Sequence, residues 1–126
     1  MSKQVIFSDK VATPQVPLSR AVKVGNLIFV SGSTPYDVNH RVAKGDFRAQ
    51  MVQSMESLKA ILEVAGSSLD KVVKVNVILT DISNFQTMNE IYRTYFKEGN
   101  YPARTTIEAK LAGKDFLLEI ECVAEA

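Results

Sequence analysis

The sequence predicts an α+β fold in which a mixed β-sheet carries two helices packed on one face. Three observations lead to this prediction. Strand-like and helix-like segments follow one another in the order β-ββ-α-β-α-ββ. Each helical segment has apolar residues on one side only, as expected of a helix that packs on a sheet. Two helices cover only one face, so the opposite face of the sheet remains open for other contacts.

The N-terminal part of the chain predicts three strands. Residues 5–7 form a short apolar run that is typical of a strand. The β-rich runs 21–24 and 27–31 flank Gly25 and Asn26, a pair that is typical of a two-residue hairpin turn. We therefore expect a short first strand followed by a hairpin, and then a polar loop before the first helix.

Both helices have a start signal and an apolar stripe. Asp46 can cap the first helix, which is expected to end at Gly66. Its apolar residues recur at spacings of three and four: Phe47, Met51, Met55, Leu58, Leu62 and Ala65. Ser83 and Gln86 have the spacing of a capping box at the start of the second helix. The stripe of that helix consists of Phe85, Met88, Tyr92, Tyr95 and Phe96.

The remaining strands alternate between apolar and polar residues. Between the helices, the predicted core face of a strand consists of Val73, Val75, Val77 and Leu79. After the second helix, residues 104–111 and 118–124 predict an antiparallel hairpin around a short link at 112–114. Its apolar face would carry Ile107, Ala109, Leu111, Leu118, Ile120, Cys122 and Ala124. Its other face would carry Arg104, Thr106, Glu108, Glu119 and Glu121.

The pairing of Arg104 with Glu119 is the main candidate for chemistry. A guanidinium is a planar fork of donors that matches a carboxylate in two parallel hydrogen bonds. A nearby glutamate can orient water or move a proton. The alternative is a solvated strand face with ordinary cross-strand ion pairs. Because Ile78 shares that face with polar residues, we expect partner subunits to cover it and a pocket to form at a subunit junction.

Composition limits the class of protein. The chain has 126 residues, 46% of them hydrophobic, which suits one domain spanning residues 1–126. Fifteen basic and fourteen acidic residues give a net charge of +1, which argues against a nucleic-acid or membrane-surface partner. The first residues lack an apolar signal segment, so we expect a cytoplasmic protein. One cysteine and one histidine, Cys122 and His40, lie far apart in the sequence and predict no metal site.

Four short motifs resemble the Rid family, also called the YjgF family, over about residues 16–124. They are Ser31-Gly32, residues 88–92, residues 102–104 and residues 119–121, in this order and at these separations. The resemblance implies a chorismate-mutase-like fold and a homotrimer whose sheets surround a central barrel, with pockets between subunits. It also implies hydrolysis of reactive 2-imino or enamine acids to 2-oxo acids and ammonia, without metal or organic cofactor.

The same resemblance implies roles for individual residues. Arg104 takes the place of the arginine that grips the substrate carboxylate, and Glu119 that of the glutamate that places or activates water. Ser31, Gly32 and Asn89 match positions that line the pocket. Thr106 occupies a position near the reacting carbon.

Two positions depart from the family pattern. Leu18 stands where many members have a tyrosine that borders the pocket, and Ser33 where they often have a glutamine; both changes are expected to alter the pocket rim. Arg20 either is a solvated charge or meets a second carboxylate, as a 2-aminomuconate-type dicarboxylate would require. Two further alternatives stay open: a regulatory trimer that binds a small molecule without turnover, and an RNA-directed activity.

Overall fold

The computed structural model describes residues 2–126 of the chain, and the predicted α+β class is confirmed. A six-stranded sheet is connected through two α-helices and two short 3-10 helices at Leu69–Lys71 and Ile82–Asn84. The strands are β1 (Gln4–Ile6), β2 (Ala21–Val24), β3 (Leu27–Ser33), β4 (Val72–Leu79), β5 (Ala103–Glu108) and β6 (Leu118–Glu125). The α-helices are α1 (Phe47–Val64) and α2 (Phe85–Arg93).

The strand order is β1-β2-β3-β6-β4-β5, and the predicted C-terminal hairpin is wrong. Strand β5 pairs with β4 in parallel, whereas β6 lies between β3 and β4 and is antiparallel to both. The β4-α2-β5 segment is a β-α-β crossover, whose two strands run in the same direction by construction. Strand β6 is one of the two central strands, and every second side chain along it packs into the core.

Both helices pack on one face of the sheet, as predicted. The fully buried residues of the helices are Gln50, Met51, Ser54, Met55, Leu58, Ile61, Leu62 and Met88. They meet the apolar side chains of the central strands, among them Ile28, Val75, Val77, Leu79, Leu118 and Ile120. Cys122 is a buried core residue, as its parity predicts. Within residues 2–126, neither helix has the length and apolar character that crossing a bilayer would demand.

Three local predictions have different outcomes. Asp46 caps α1 as predicted, since its carboxylate accepts a hydrogen bond from the Ala49 amide at 3.0 Å. Ser83 is not the cap of the second helical segment: Asp81 accepts from the Ser83 amide at 2.9 Å and caps the preceding 3-10 turn. Val73 is exposed rather than buried, because a bulge at the start of β4 shifts the alternation by one residue.

The other face of the sheet is covered by no helix of the described chain. Exposed or half-buried apolar side chains extend across it through paired positions, from Val5 and Val22 to Phe29 and Val123. Ile78 and Ile107 continue this surface at the β4–β5 edge. We call this surface the open face. Asn76 and Glu121 lie between the two apolar stretches of this face. Exposed apolar stretches of this kind are typical of an interface with another protein chain.

Candidate active site

Arg104 and Glu119 lie on opposite faces of the sheet, which corrects the prediction that they share one. Arg104 pairs with Val75 of β4, and Val75 is fully buried on the helix face. Glu119 pairs with Ile78, which belongs to the open face. The prediction failed because it transferred the alternation across a hairpin that does not exist. The faces of β5 are fixed by its parallel partner β4, not by β6.

Arg104 is held on the helix face by aromatic rings and a sulfur atom. Its guanidinium carbon lies 4.8 Å from the ring centroid of Tyr92 and 5.7 Å from that of Phe85. Its Nη1 lies 3.7 Å from the Met88 sulfur. Cation–π contacts orient the fork without using up its hydrogen-bond donors. Within residues 2–126 no carboxylate forms an ion pair with Arg104, so its charge is available to a ligand.

An open cleft of about 280 Å³ lies beside this guanidinium. It is lined by Asn89, Tyr92, Arg93, Tyr101, Pro102 and Arg104, and we call it the arginine cleft. Burial raises the pKa of the Tyr92 hydroxyl to about 12, against the opposing effect of the Arg104 charge. The phenol therefore stays neutral at physiological pH, and its ring serves as the surface on which Arg104 rests.

Glu119 lines a second cleft, of about 360 Å³, which we call the glutamate cleft. Gly32, Arg20 and Leu18 also line it. Burial raises the pKa of the Glu119 carboxyl above its usual range, and the neighbouring Glu121 raises it further, while Arg20 acts in the opposite direction. A carboxylate that is half-buried in this way is a better proton acceptor than a solvated one.

Arg20 is not a solvated surface charge. Its Nε donates to the carbonyl oxygen of Ala12 at 2.9 Å, and its Nη2 donates to the same oxygen. Burial lowers the pKa of the guanidinium, while the charge of Glu119 raises it. Arg20 and Glu119 line one cleft without a direct ion pair among residues 2–126, and the charge of each affects the pKa of the other.

The structure distributes the other predicted site residues between the two clefts. Asn89 lines the arginine cleft and Gly32 the glutamate cleft. The Ser31 hydroxyl donates to the carbonyl of Ser19 at 2.6 Å, a bond that ties β3, next to Gly32, to the segment that precedes β2. Thr106 faces the helix side two positions after Arg104, and its buried hydroxyl has no hydrogen-bond partner within residues 2–126.

The two departures from the family pattern have different outcomes. Leu18 lines the glutamate cleft, and its effect on a substrate pocket stays a prediction. Ser33 does not form part of that rim. It pairs with Ile120 and is buried on the helix face, because the irregular pairing between Val30 and Ser33 turns it away from Gly32.

Sequence reasoning missed an aromatic wall of the glutamate cleft. The ring of Tyr36 packs edge-on against that of Phe116, with centroids 4.9 Å apart, and against that of His40 at 5.7 Å. A nitrogen of the His40 ring lies 2.8 Å from the Thr13 carbonyl oxygen. These residues come from three separate loops, so no periodic pattern in the sequence links them. Among residues 2–126, no cluster of three or more metal-ligating side chains is present.

Comparisons with known proteins identify the family. The family model described as Endoribonuclease L-PSP matches residues 9–126. A RutC family protein of Pyrococcus abyssi is 47% identical over 125 residues, which cover 98% of both chains. A 2-iminobutanoate/2-iminopropanoate deaminase of Salmonella typhimurium is 35% identical over 125 residues, covering 94% of this chain and 98% of the relative.

Solved structures agree with the sequence comparisons. The crystal structure of RidA from an Antarctic Psychrobacter species matches with a TM-score of 0.92 at 39% identity, over 98% of this chain and 99% of that one. The fold implied by the resemblance is therefore confirmed. The chain belongs to the family whose model is described as Endoribonuclease L-PSP, which is the Rid or YjgF family.

Proposed function

We propose that the protein is a hydrolytic deaminase that converts reactive 2-imino or enamine acids to 2-oxo acids and ammonia, without a cofactor. The observation that carries this proposal is the Arg104 guanidinium, which lies at an open cleft and has no carboxylate partner among residues 2–126. Such a fork matches the carboxylate that every 2-imino acid contains. The Salmonella relative named as an imino-acid deaminase supports the same reaction.

The proposed active site lies between two copies of the chain. Arg104 and Glu119 face opposite sides of one sheet, so a small substrate bound to a single chain does not contact both. The apolar open face supports self-association. We therefore place the arginine cleft of one subunit against the glutamate cleft of the next, in a cytoplasmic homotrimer with three such sites.

In this site the protein positions groups rather than supplying an unusual reagent. Arg104 holds the substrate carboxylate and so fixes the adjacent protonated imine carbon, which is already electrophilic. Glu119 accepts a proton from water as the water oxygen bonds to that carbon. Glu119 returns this proton to the nitrogen of the carbinolamine. As the C–N bond breaks, the hydroxyl proton passes to Glu119 and from it to the departing ammonia, which leaves the 2-oxo acid. Ser31, Gly32 and Asn89 line the site.

Thr106 is the remaining proposed substrate contact. Its hydroxyl lies two positions along the strand from Arg104 and is buried without a hydrogen-bond partner in the described part of the chain, which supports a role that needs a ligand or a neighbouring subunit.

Subunit complementation tests the shared site. Arg104→Ala and Glu119→Gln are each expected to keep at most about a tenth of wild-type activity alone. When the two variants are unfolded, mixed in equal amounts and refolded together, each mixed trimer contains one site with both wild-type residues. Random assembly then restores about a quarter of wild-type ammonia release. No recovery in mixed oligomers, verified by mass spectrometry, would show that both residues act from the same chain.

The assay also separates this function from its alternatives. A regulatory trimer would bind a carboxylate ligand in calorimetry without releasing ammonia from an imino acid generated in situ. The family description names an endoribonuclease, which makes RNA cleavage a second candidate. RNA degradation that persists in Arg104→Ala and survives repeated purification would favour ribonuclease activity over deamination. RNA binding would be measured at two salt concentrations.

A further inference from the structure

Arg20 is fixed in place before any ligand arrives. Two nitrogens of its guanidinium donate to the carbonyl of Ala12, a residue that is itself buried. Its own carbonyl accepts from the Ser31 amide at 2.9 Å, one residue before Gly32. Hydrogen bonds therefore hold both the guanidinium and the backbone of Arg20. The backbone is held next to Gly32, which lies against the Glu119 side chain. The Ala12 carbonyl thus fixes the guanidinium in the cleft that Glu119 also lines, and no direct ion pair joins the two side chains among residues 2–126.

The charged and titratable groups around Glu119 are few. Arg20, His40 and Tyr36 line the cleft with it, and Glu121 lies two positions along the same strand. From β4 the facing residue is Ile78, which has no charge. The pKa effects agree with this geometry, because Arg20 is the group that opposes the burial and the Glu121 charge acting on Glu119.

We propose that Arg20 is a positioning residue that keeps the Glu119 carboxylate ionised and directed into the cleft, and that it does not bind a second substrate carboxylate. This inference rests on the proposed function and narrows its substrate class. A second substrate carboxylate in this cleft would compete with Glu119 for the Arg20 guanidinium, and the negative charge of Glu119 would repel it. The rest of the cleft wall is largely apolar, with Val16, Leu18 and Phe116. The pocket therefore selects 2-imino acids with one carboxylate over 2-aminomuconate-type dicarboxylates.

The first experiment measures Glu119 directly. We would titrate the protein with ¹³C-labelled glutamate by NMR, with the Glu119 signal assigned by its absence in Glu119→Gln. Arg20→Gln is expected to move the Glu119 midpoint to higher pH, and Arg20→Lys, which keeps the charge, to move it less. Arg48→Gln is the matched control, because Arg48 pairs with Glu90 on the surface and its loss changes the net charge equally. An unchanged midpoint in folded Arg20→Gln would overturn the inference, whether or not the protein is a deaminase.

The second experiment measures substrate choice. In Arg20→Gln, kcat/KM on the acid side of the profile is expected to fall about tenfold for 2-iminopropanoate and by the same factor for 2-aminomuconate. If Arg20 binds a second carboxylate, the wild type will prefer 2-aminomuconate and the variant will lose only that preference, which would overturn the inference. If neither compound is turned over, the proposed function fails, and the NMR titration alone decides whether Arg20 positions Glu119.

Discussion

Gly32 lies directly against the side chain of Glu119. A Cβ placed on Gly32 would come within 2.6 Å of the Glu119 Cδ and 2.7 Å of its Oε2. Real Cβ atoms do not approach other heavy atoms this closely, so any side chain at this position would displace the carboxylate. Gly32 is not among the residues with positive φ, so the position requires glycine for space rather than for backbone conformation.

We expect Gly32→Ala to lower deaminase kcat/KM about tenfold to a hundredfold, because the Glu119 carboxylate moves away from its position in the cleft. Circular dichroism and light scattering should show an intact fold and assembly. A double-mutant cycle supplies the control. Glu119→Ala removes the Cγ, Cδ and Oε2 atoms that the methyl group would meet, so adding Gly32→Ala to Glu119→Ala should lower the residual activity little further. If the fold losses of activity in the two single variants simply multiply in the double variant, Gly32 has no steric role towards Glu119.

Arg104→Ala should reduce turnover at least about tenfold to a hundredfold, since a charge-assisted pair with a carboxylate contributes roughly 1.5–3 kcal/mol. Arg104→Lys should recover little, because an ammonium lacks the two-pronged geometry. Arg93 lines the same cleft but is exposed, which makes Arg93→Ala the matched control. Steady-state kinetics on an imino acid generated in situ would measure all three variants. Equal losses of turnover in Arg93→Ala and Arg104→Ala would indicate general attraction of anions rather than a specific contact with the substrate carboxylate.

Local pattern was enough to predict most of the fold. The one-sided stripe of α1 and the Asp46 cap depend on nearest neighbours in the chain, and both agree with the structure. The hairpin of residues 21–31 was predicted for the same reason. The position of β6 was not predicted. Strand order depends on how the connections between strands cross the sheet, and strands that are adjacent in sequence, such as β5 and β6, usually pair with each other.

The candidate site shows the same limit. Arg104 and Glu119 were singled out from residue type and family resemblance, but their relative placement depends on the pairing partner of β5. Arg20 was left open because its role depends on the buried carbonyl of Ala12, eight residues away in an irregular segment. Tyr36 and Phe116 meet only through loop packing, for which the sequence has no periodic signal.

Glu119→Gln should lower turnover about a hundredfold while raising stability at neutral pH. The folded-state pKa of Glu119 is raised by burial, so the ionised group destabilises the fold above the ordinary carboxyl range, and removing the charge removes that cost. Below about pH 4 the carboxyl is protonated in both states, so the gain should disappear. Unfolding midpoints measured across this range test the sign. A glutamine variant less stable than wild type at pH 7 would contradict it.

Glu121→Gln is the internal control for that experiment. Glu121 is exposed and accepts a hydrogen bond from the Asn76 side chain at 2.9 Å, outside the set of residues that line the glutamate cleft. Glu121→Gln should lower turnover clearly less than Glu119→Gln does. Equal losses at the two positions would favour a general electrostatic effect over an assigned proton acceptor.

Gln50 is a fully buried amide that joins α1 to the segment before β6. Its Nε2 donates to the carbonyls of Ala43 and Asp115 at 2.9 and 3.0 Å, and its Oε1 accepts from the Leu117 amide at 2.8 Å. Gln50→Leu should lower the free energy of unfolding by about 2–4 kcal/mol, because buried groups lose their partners. Gln53→Leu removes only a side-chain bond to Ser57 and should cost less than about 1 kcal/mol. Urea denaturation measures both variants, and similar losses would mean that the network contributes little.

Ile78→Asp should shift the protein toward smaller species and abolish deamination in parallel. Ile78 lies on the open face, between Glu119 of β6 and the exposed Ile107 of β5. An unpaired carboxylate in a subunit interface there costs several kcal/mol, which is a large share of the free energy of association. Val52→Asp places the same charge on an exposed apolar position of α1 and should leave the assembly unchanged. Light scattering alongside the ammonia assay decides the matter, since a stable Ile78→Asp monomer that deaminates at the wild-type rate would locate the whole site within one chain.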